Sequence, residues 1–92
     1  MPYISPARRE AFALARNTIK STRLDSIGEL EYMFCWMADL YLSQHIVNFE
    51  NLNAVIGAFE SGKLEVYRRL CADYEQKKME TKGDVFKQWE AK

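Results

Sequence analysis

Apolar residues recur along this 92-residue chain at helical rather than alternating spacing. Ser5-Pro6 opens the first helical segment. Ser5 can accept from the first free amides, and Pro6 fits the first helical position, whose N–H would be unpaired in any case. Phe12, Ala15 and Ile19 give this segment a narrow apolar stripe, and the pattern predicts one helix to about Ser21 after an extended N-terminus over residues 1–5. Ser21 to Asp25 reads as a connector. Ser26 and Glu29 form a capping box, and apolar positions follow at Ile27, Leu30, Met33, Phe34, Met37, Leu40 and Tyr41. That helix ends near Gln44 or His45, and Asn48 or Asn51 caps the next. Leu52, Ile56, Phe59, Lys63, Val66 and Leu70 then follow alternating steps of four and three, with Val55, Tyr67 and Tyr74 widening the stripe. This last helix runs to Thr81 or Lys82, with Gly83 as its stop and residues 84–92 as a tail. The predicted fold is all-α: one domain over residues 1–92, with a short N-terminal helix followed by an antiparallel helical hairpin whose second arm is long.

The long arm raises a burial problem. About thirty helical residues span roughly 45 Å, and a middle helix of about nineteen cannot cover that length. Part of the arm must project or pack on another chain. Ala54, Gly57, Ala58, Ser61 and Gly62 also place small residues at helical spacing. Two glycines inside a helix cost about 1 kcal/mol each relative to alanine, which close helix–helix contact would justify. Gly57, Ala58 and Gly62 are therefore candidate interface positions. Trp36 falls outside the apolar seam of the middle helix, as an interface anchor would, or as a ring covered by the neighbouring connector. Aromatics make up 13% of the chain, more than a small three-helix core easily hides. Together these features predict a homo-oligomer.

Charge changes this picture in one respect. The formal net charge is zero, yet residues 1–23 carry five basic groups and one acid, and residues 24–62 carry six acids with no Lys or Arg. Residues 63–92 carry eight basic groups and six acids. Such segregation suits complementarity between an acidic middle and basic flanks, or a basic anion pocket where the flanks meet. Overall neutrality argues against non-specific nucleic-acid binding. Two cysteines, Cys35 and Cys71, without a CxxC motif, read as small buried hydrophobes in a reducing compartment. The sequence has no signal peptide and no long apolar run, which predicts a soluble, cytoplasmic protein without a membrane partner.

Catalytic chemistry is thinly represented. His45 is the sole histidine, and the chain lacks a nucleophile elbow, a phosphate loop and a zinc ligand set, so no catalytic residue, metal or cofactor is expected. A magnesium-dependent helical nucleotide pyrophosphohydrolase would need acids repeated on one face. Glu29, Glu31, Asp39, Glu50 and Glu60 are scattered instead. The stretch YRRLCADYEQKKMETKGDVF, residues 67–86, is more suggestive. Glu65 with Arg69 and Asp73 with Lys77 are favourable pairs that support a solvated helix. Tyr67 and Tyr74 beside Arg68 and Arg69 could instead stack a base and hold a phosphate. In the first helix Arg9, Arg16 and Lys20 line up at steps of seven and four, with Arg8 beside them. These eight residues are the candidate ligand-binding set.

The chain also resembles a family of small proteins of unknown function from bacteriophage and bacterial genomes. The resemblance rests on Met1 to Ile4, then Gly28, Leu30 and Tyr32, Tyr41-Leu42, Leu52-Asn53, Val55, Gly57-Ala58 and Glu60. It continues through Lys63-Leu64-Glu65, Tyr67-Arg68-Arg69, Tyr74-Glu75, Lys78 and Gly83-Asp84-Val85. Lys82 stands where the family pattern has Asn, and Phe86 where it has Tyr. The resemblance carries no established activity. It implies a phage or prophage setting, hence a non-enzymatic accessory protein in the host cytoplasm. Two functions follow as expectations. One is sequestration of an anionic nucleotide-type defence signal in a pocket between subunits. The other is inhibition of a host protein by direct contact, with Trp36 or Trp89 as anchor.

Overall fold

A computed structural model describes residues 2–86. Six helical elements follow in order: α1 over Pro6–Ala11, α2 over Ala13–Lys20, α3 over Ile27–Ser43, α4 over Phe49–Val66, a π turn over Tyr67–Cys71, and α5 over Ala72–Lys82. No strand occurs among the described residues. The fold is all-α with a long C-terminal helical run. The chain divides into two units, Met1–Ala58 and Phe59–Lys92.

Local chemistry accounts for most helix ends in the first unit. Ser5 Oγ accepts from the Arg8 amide at 3.3 Å, with Pro6 in the first turn. Ser26 Oγ accepts from the Glu29 amide at 3.1 Å. The Glu29 carboxylate reaches back one residue further than a regular capping box, to the Asp25 amide at 3.0 Å. Asn48 Oδ1 accepts from the Asn51 amide at 2.8 Å and so caps α4, while the Asn51 side chain donates to the Ile46 carbonyl at 2.6 Å. The two asparagines therefore divide the work, one capping and one bracing the turn. His45 closes α3: its Nδ1 lies 2.8 Å from the Tyr41 carbonyl, and its ring stacks on Tyr41 with centroids 4.0 Å apart.

The single first helix expected to Ser21 is broken at Phe12, whose φ of −98° and ψ of 0° lie in the sparsely allowed bridge region. The Phe12 amide turns to the Arg9 and Glu10 carbonyls, a tightened turn that ends α1 before α2 begins. The guanidinium of Arg8 lies 5.4 Å from the Phe12 ring centre, across the break.

In the second unit, α5 ends at Gly83, with φ +91° and ψ 154°, backbone angles open essentially to glycine alone. Its amide returns to the Met79 carbonyl at 2.8 Å. Asp84 then forms a short turn by accepting from the Phe86 amide at 2.9 Å.

What these helices do not do is bury anything. No described residue is buried. The contacting pairs of elements are neighbours in sequence, α1 with α2 and the π turn with α5. Along the seam expected between the hairpin arms, Leu30, Met37 and Tyr41 on α3 stay exposed, as do Leu52 and Ile56 on α4. Cys35, expected to be buried, is exposed for the same reason, and Cys71 is half-buried. No helix among the described residues is long and apolar enough to cross a membrane.

The caps are contacts that each helix makes with its own flanking residues. Ser26→Ala should remove about 1 kcal/mol from unfolding stability, read as a lower urea midpoint with an unchanged denaturant slope.

Candidate functional site

The second unit holds the most distinctive backbone feature. Helix α4 passes into α5 through the π turn at Tyr67–Cys71, where one extra residue is taken into the helical ladder. Val66, Leu70, Tyr74 and Lys78 explain why it falls here, because three successive steps of four drift across the face of a regular α-helix. An extra residue absorbs that drift. The same run of fours is the sequence signal that could have located the turn.

Side chains around the turn converge on one carboxylate. Tyr67 Oη donates to Glu75 Oε2 at 3.4 Å, and Cys71 Sγ donates to Glu75 Oε1 at 3.6 Å. The Glu75 charge, with Cys71 and then the hydrogen bond to Glu75 adding to it, raises the Tyr67 pKa above its ordinary 10.0. Partial burial first, and then the Glu75 charge, raise the Cys71 thiol above its ordinary 9.0. A thiol held protonated in this way is a poor nucleophile. Glu75 and its link to the thiol were not among the residues singled out by spacing.

Arg68, Lys77 and Lys78 of this stretch are engaged locally. Arg68 pairs with Glu65 at 2.8 Å, one helical turn back, and Arg69 is not free either. Lys77 pairs with Asp73 at 3.4 Å, as the spacing predicted. Lys78 Nζ lies 5.4 Å from the centre of the Tyr74 ring. Beyond the turn, Val85 and Phe86 line an open groove with Gln76, Met79 and Lys82 of α5.

The remaining predicted ligand residues belong to the first unit. Arg8 covers Phe12, and Arg9 Nε donates to the Ile4 carbonyl at 3.2 Å. The break at Phe12 falls between Arg9 and the pair Arg16 and Lys20, so the three do not lie on one continuous helix. The eight candidates thus form two sets, Arg8, Arg9, Arg16 and Lys20 in one unit and Tyr67, Arg68, Arg69 and Tyr74 in the other. Among the interface candidates, Trp36 is 43% exposed. A Cβ added at Gly57 or Gly62 would meet nothing within 4 Å. Trp89 lies outside the described residues. Among the described residues, no three His, Cys, Asp or Glu side chains gather closely enough to hold a metal ion.

These features describe an all-helical chain marked by exposed apolar side chains and a π turn. The chain belongs to the family described as a domain of unknown function (DUF6899), whose model matches residues 1–85. No curated protein and no solved structure matches the chain.

Glu75→Gln removes the charge that both raised pKa values share. It should lower the pH of half-maximal Cys71 alkylation and the pH midpoint of Tyr67 ionisation followed by ultraviolet absorbance. Each raised value also marks a proton held more tightly by the folded state. That contribution to stability is complete below the ordinary 9.0 and 10.0 and is lost as pH rises through the folded values. The alkaline decline of the melting temperature should accordingly be shallower in Glu75→Gln.

Proposed function

We propose that this protein is a non-enzymatic interaction protein that works as a homo-oligomer, its hydrophobic core built between copies. The observation that carries this reading is that no described residue is buried in a chain whose middle helices are rich in large apolar side chains. Helix α3 is apolar around most of its circumference, with Tyr32 and Trp36 on the side away from Leu30, Phe34 and Met37. A helix of that kind needs neighbours on more than one side. The empty space around Gly57 and Gly62 supports the same reading, because their helix-weakening effect has no counterpart within the chain. The motif resemblance supports a phage-encoded accessory role in the host cytoplasm for such an assembly.

Light scattering at micromolar concentration should give a mass that is a multiple of 10.8 kDa, and the melting temperature should rise with protein concentration. A monomeric mass throughout would sink the reading. Gly57→Ala sharpens the test. On an open helix it should stabilise by about 1 kcal/mol, whereas at a close contact between copies it should weaken assembly.

A second reading places an anionic nucleotide-type signal between copies, which would make the assembly an anti-defence sponge. The cation over the Tyr74 ring, with Tyr67, Arg68 and Arg69 one to two turns away, favours it, since stacking and charge are what such a ligand needs. Arg8, Arg9, Arg16 and Lys20 of another copy would supply further phosphate contacts. Calorimetry against cyclic nucleotides and ADP-ribose derivatives should show binding that Arg69→Ala reduces at least ten-fold. No binding across that panel, or an Arg69→Ala effect on stability alone, removes the sponge and leaves inhibition of a host protein by contact.

A further inference from the structure

The first unit contains both members of a charge-complementary pair of surfaces and leaves them apart. The ion pairs Arg23–Asp25, Glu60–Lys63, Glu65–Arg68 and Asp73–Lys77 join residues two to four positions apart. Among the described residues, Arg16 and Lys20 on α2 form no ion pair, and neither do Glu31 and Asp39 on α3. Arg16 and Lys20 sit one turn apart and border the stripe that carries Ala15 and Ile19. Glu31 and Asp39 sit about two turns apart; Glu31 lies in line with Cys35 and the half-buried Ala38 and Leu42, at the N-terminal end of that strip, and Asp39 lies at its edge. Each helix therefore carries a small apolar strip accompanied by charge, positive on one and negative on the other. Helices α2 and α3 do not pack on each other within the chain.

We propose that a second copy of this chain docks its α2 on the α3 of the first, with Arg16 and Lys20 set against Glu31 and Asp39, and that the contact is made reciprocally. The proposal rests on the self-assembly reading and adds its register. It uses the side of α3 away from Leu30, Met37 and Tyr41, so that seam stays available to another helix. Opposed charge at the border would fix which strips meet, while the apolar strips supply the attraction.

The test is a charge-swap mixture followed by light scattering and native mass spectrometry. One variant carries Arg16→Glu with Lys20→Glu, and the other carries Glu31→Lys with Asp39→Lys. Each should self-associate about ten-fold more weakly than the unmodified chain, because like charges then meet at both contacts. Mixed in equal amounts they should form a hetero-assembly of near-native affinity, since both contacts are complementary again. A control with the same charge change at Lys77→Glu and Lys82→Glu should not rescue the Lys-bearing variant, which separates local pairing from net attraction. Rescue by the control would overturn the proposal, as would variants that assemble like the unmodified chain. So would rescue only when all four changes sit in one chain, because the contact would then be internal. An unmodified chain that is monomeric would instead remove the self-assembly reading itself.

Discussion

The constraint on which the rest depends is the uncovered apolar surface of α3 and α4. Fixing a residue's backbone opposes folding by about 1–2 kcal/mol, and helices of seventeen or eighteen residues recover little of that from their own hydrogen bonds in water. The recovery comes from burial, about 1.5–3 kcal/mol for a fully buried Leu, Ile or Phe. Here Leu30, Phe34, Leu52 and Phe59 are all exposed in the single chain. In the proposed assembly that burial comes from other copies, which ties assembly to folding rather than adding it afterwards.

The local devices fit that dependence. Ser5, Ser26, Asn48 and Gly83 set where helices begin and end through contacts within five residues. They specify the elements and leave their mutual arrangement open. The π turn is of a different kind. By taking in one residue it sets which side chains of α5 continue the face of α4, so Tyr74 and Lys78 follow Val66 and Leu70. The carboxylate of Glu75 then bridges to Tyr67 and Cys71 across the turn. Both hydrogen bonds are long and exposed, so they trim the turn's geometry rather than hold it by force.

Legibility from sequence follows the same division between local and distant. The caps, the all-α class and the stop at Gly83 were readable because each depends on residue types a few positions apart. The break at Phe12 was not, because an apolar stripe of Phe12, Ala15 and Ile19 is compatible with a continuous helix, and only backbone angles reveal the tightened turn. The π turn was readable in principle from the run of fours at Val66, Leu70, Tyr74 and Lys78. It was obscured because steps of three and four were treated as one continuous period. The candidate ligand residues divide for a physical reason. Spacing places side chains on a helix face, but it cannot say that Arg68 would turn to Glu65 one turn back. Neither can it bring residues of two units together.

Charge segregation ties these observations together. A chain of zero net charge could neutralise itself internally by folding its basic ends over its acidic middle. The pairs Arg23–Asp25, Glu60–Lys63, Glu65–Arg68 and Asp73–Lys77 are short-range, between neighbours on one helix or within one connector, and pairs so exposed contribute little to stability. In the proposed contact, Arg16 and Lys20 of one copy meet Glu31 and Asp39 of another. Because such charges interact over about 8–10 Å at physiological salt, they act during encounter more than in the bound state. They would select which apolar strips meet while the burial of Leu, Ile and Phe side chains holds them there. A homo-oligomer with this division of labour should form more slowly as salt is raised and lose affinity in the same proportion, while its dissociation rate stays nearly constant.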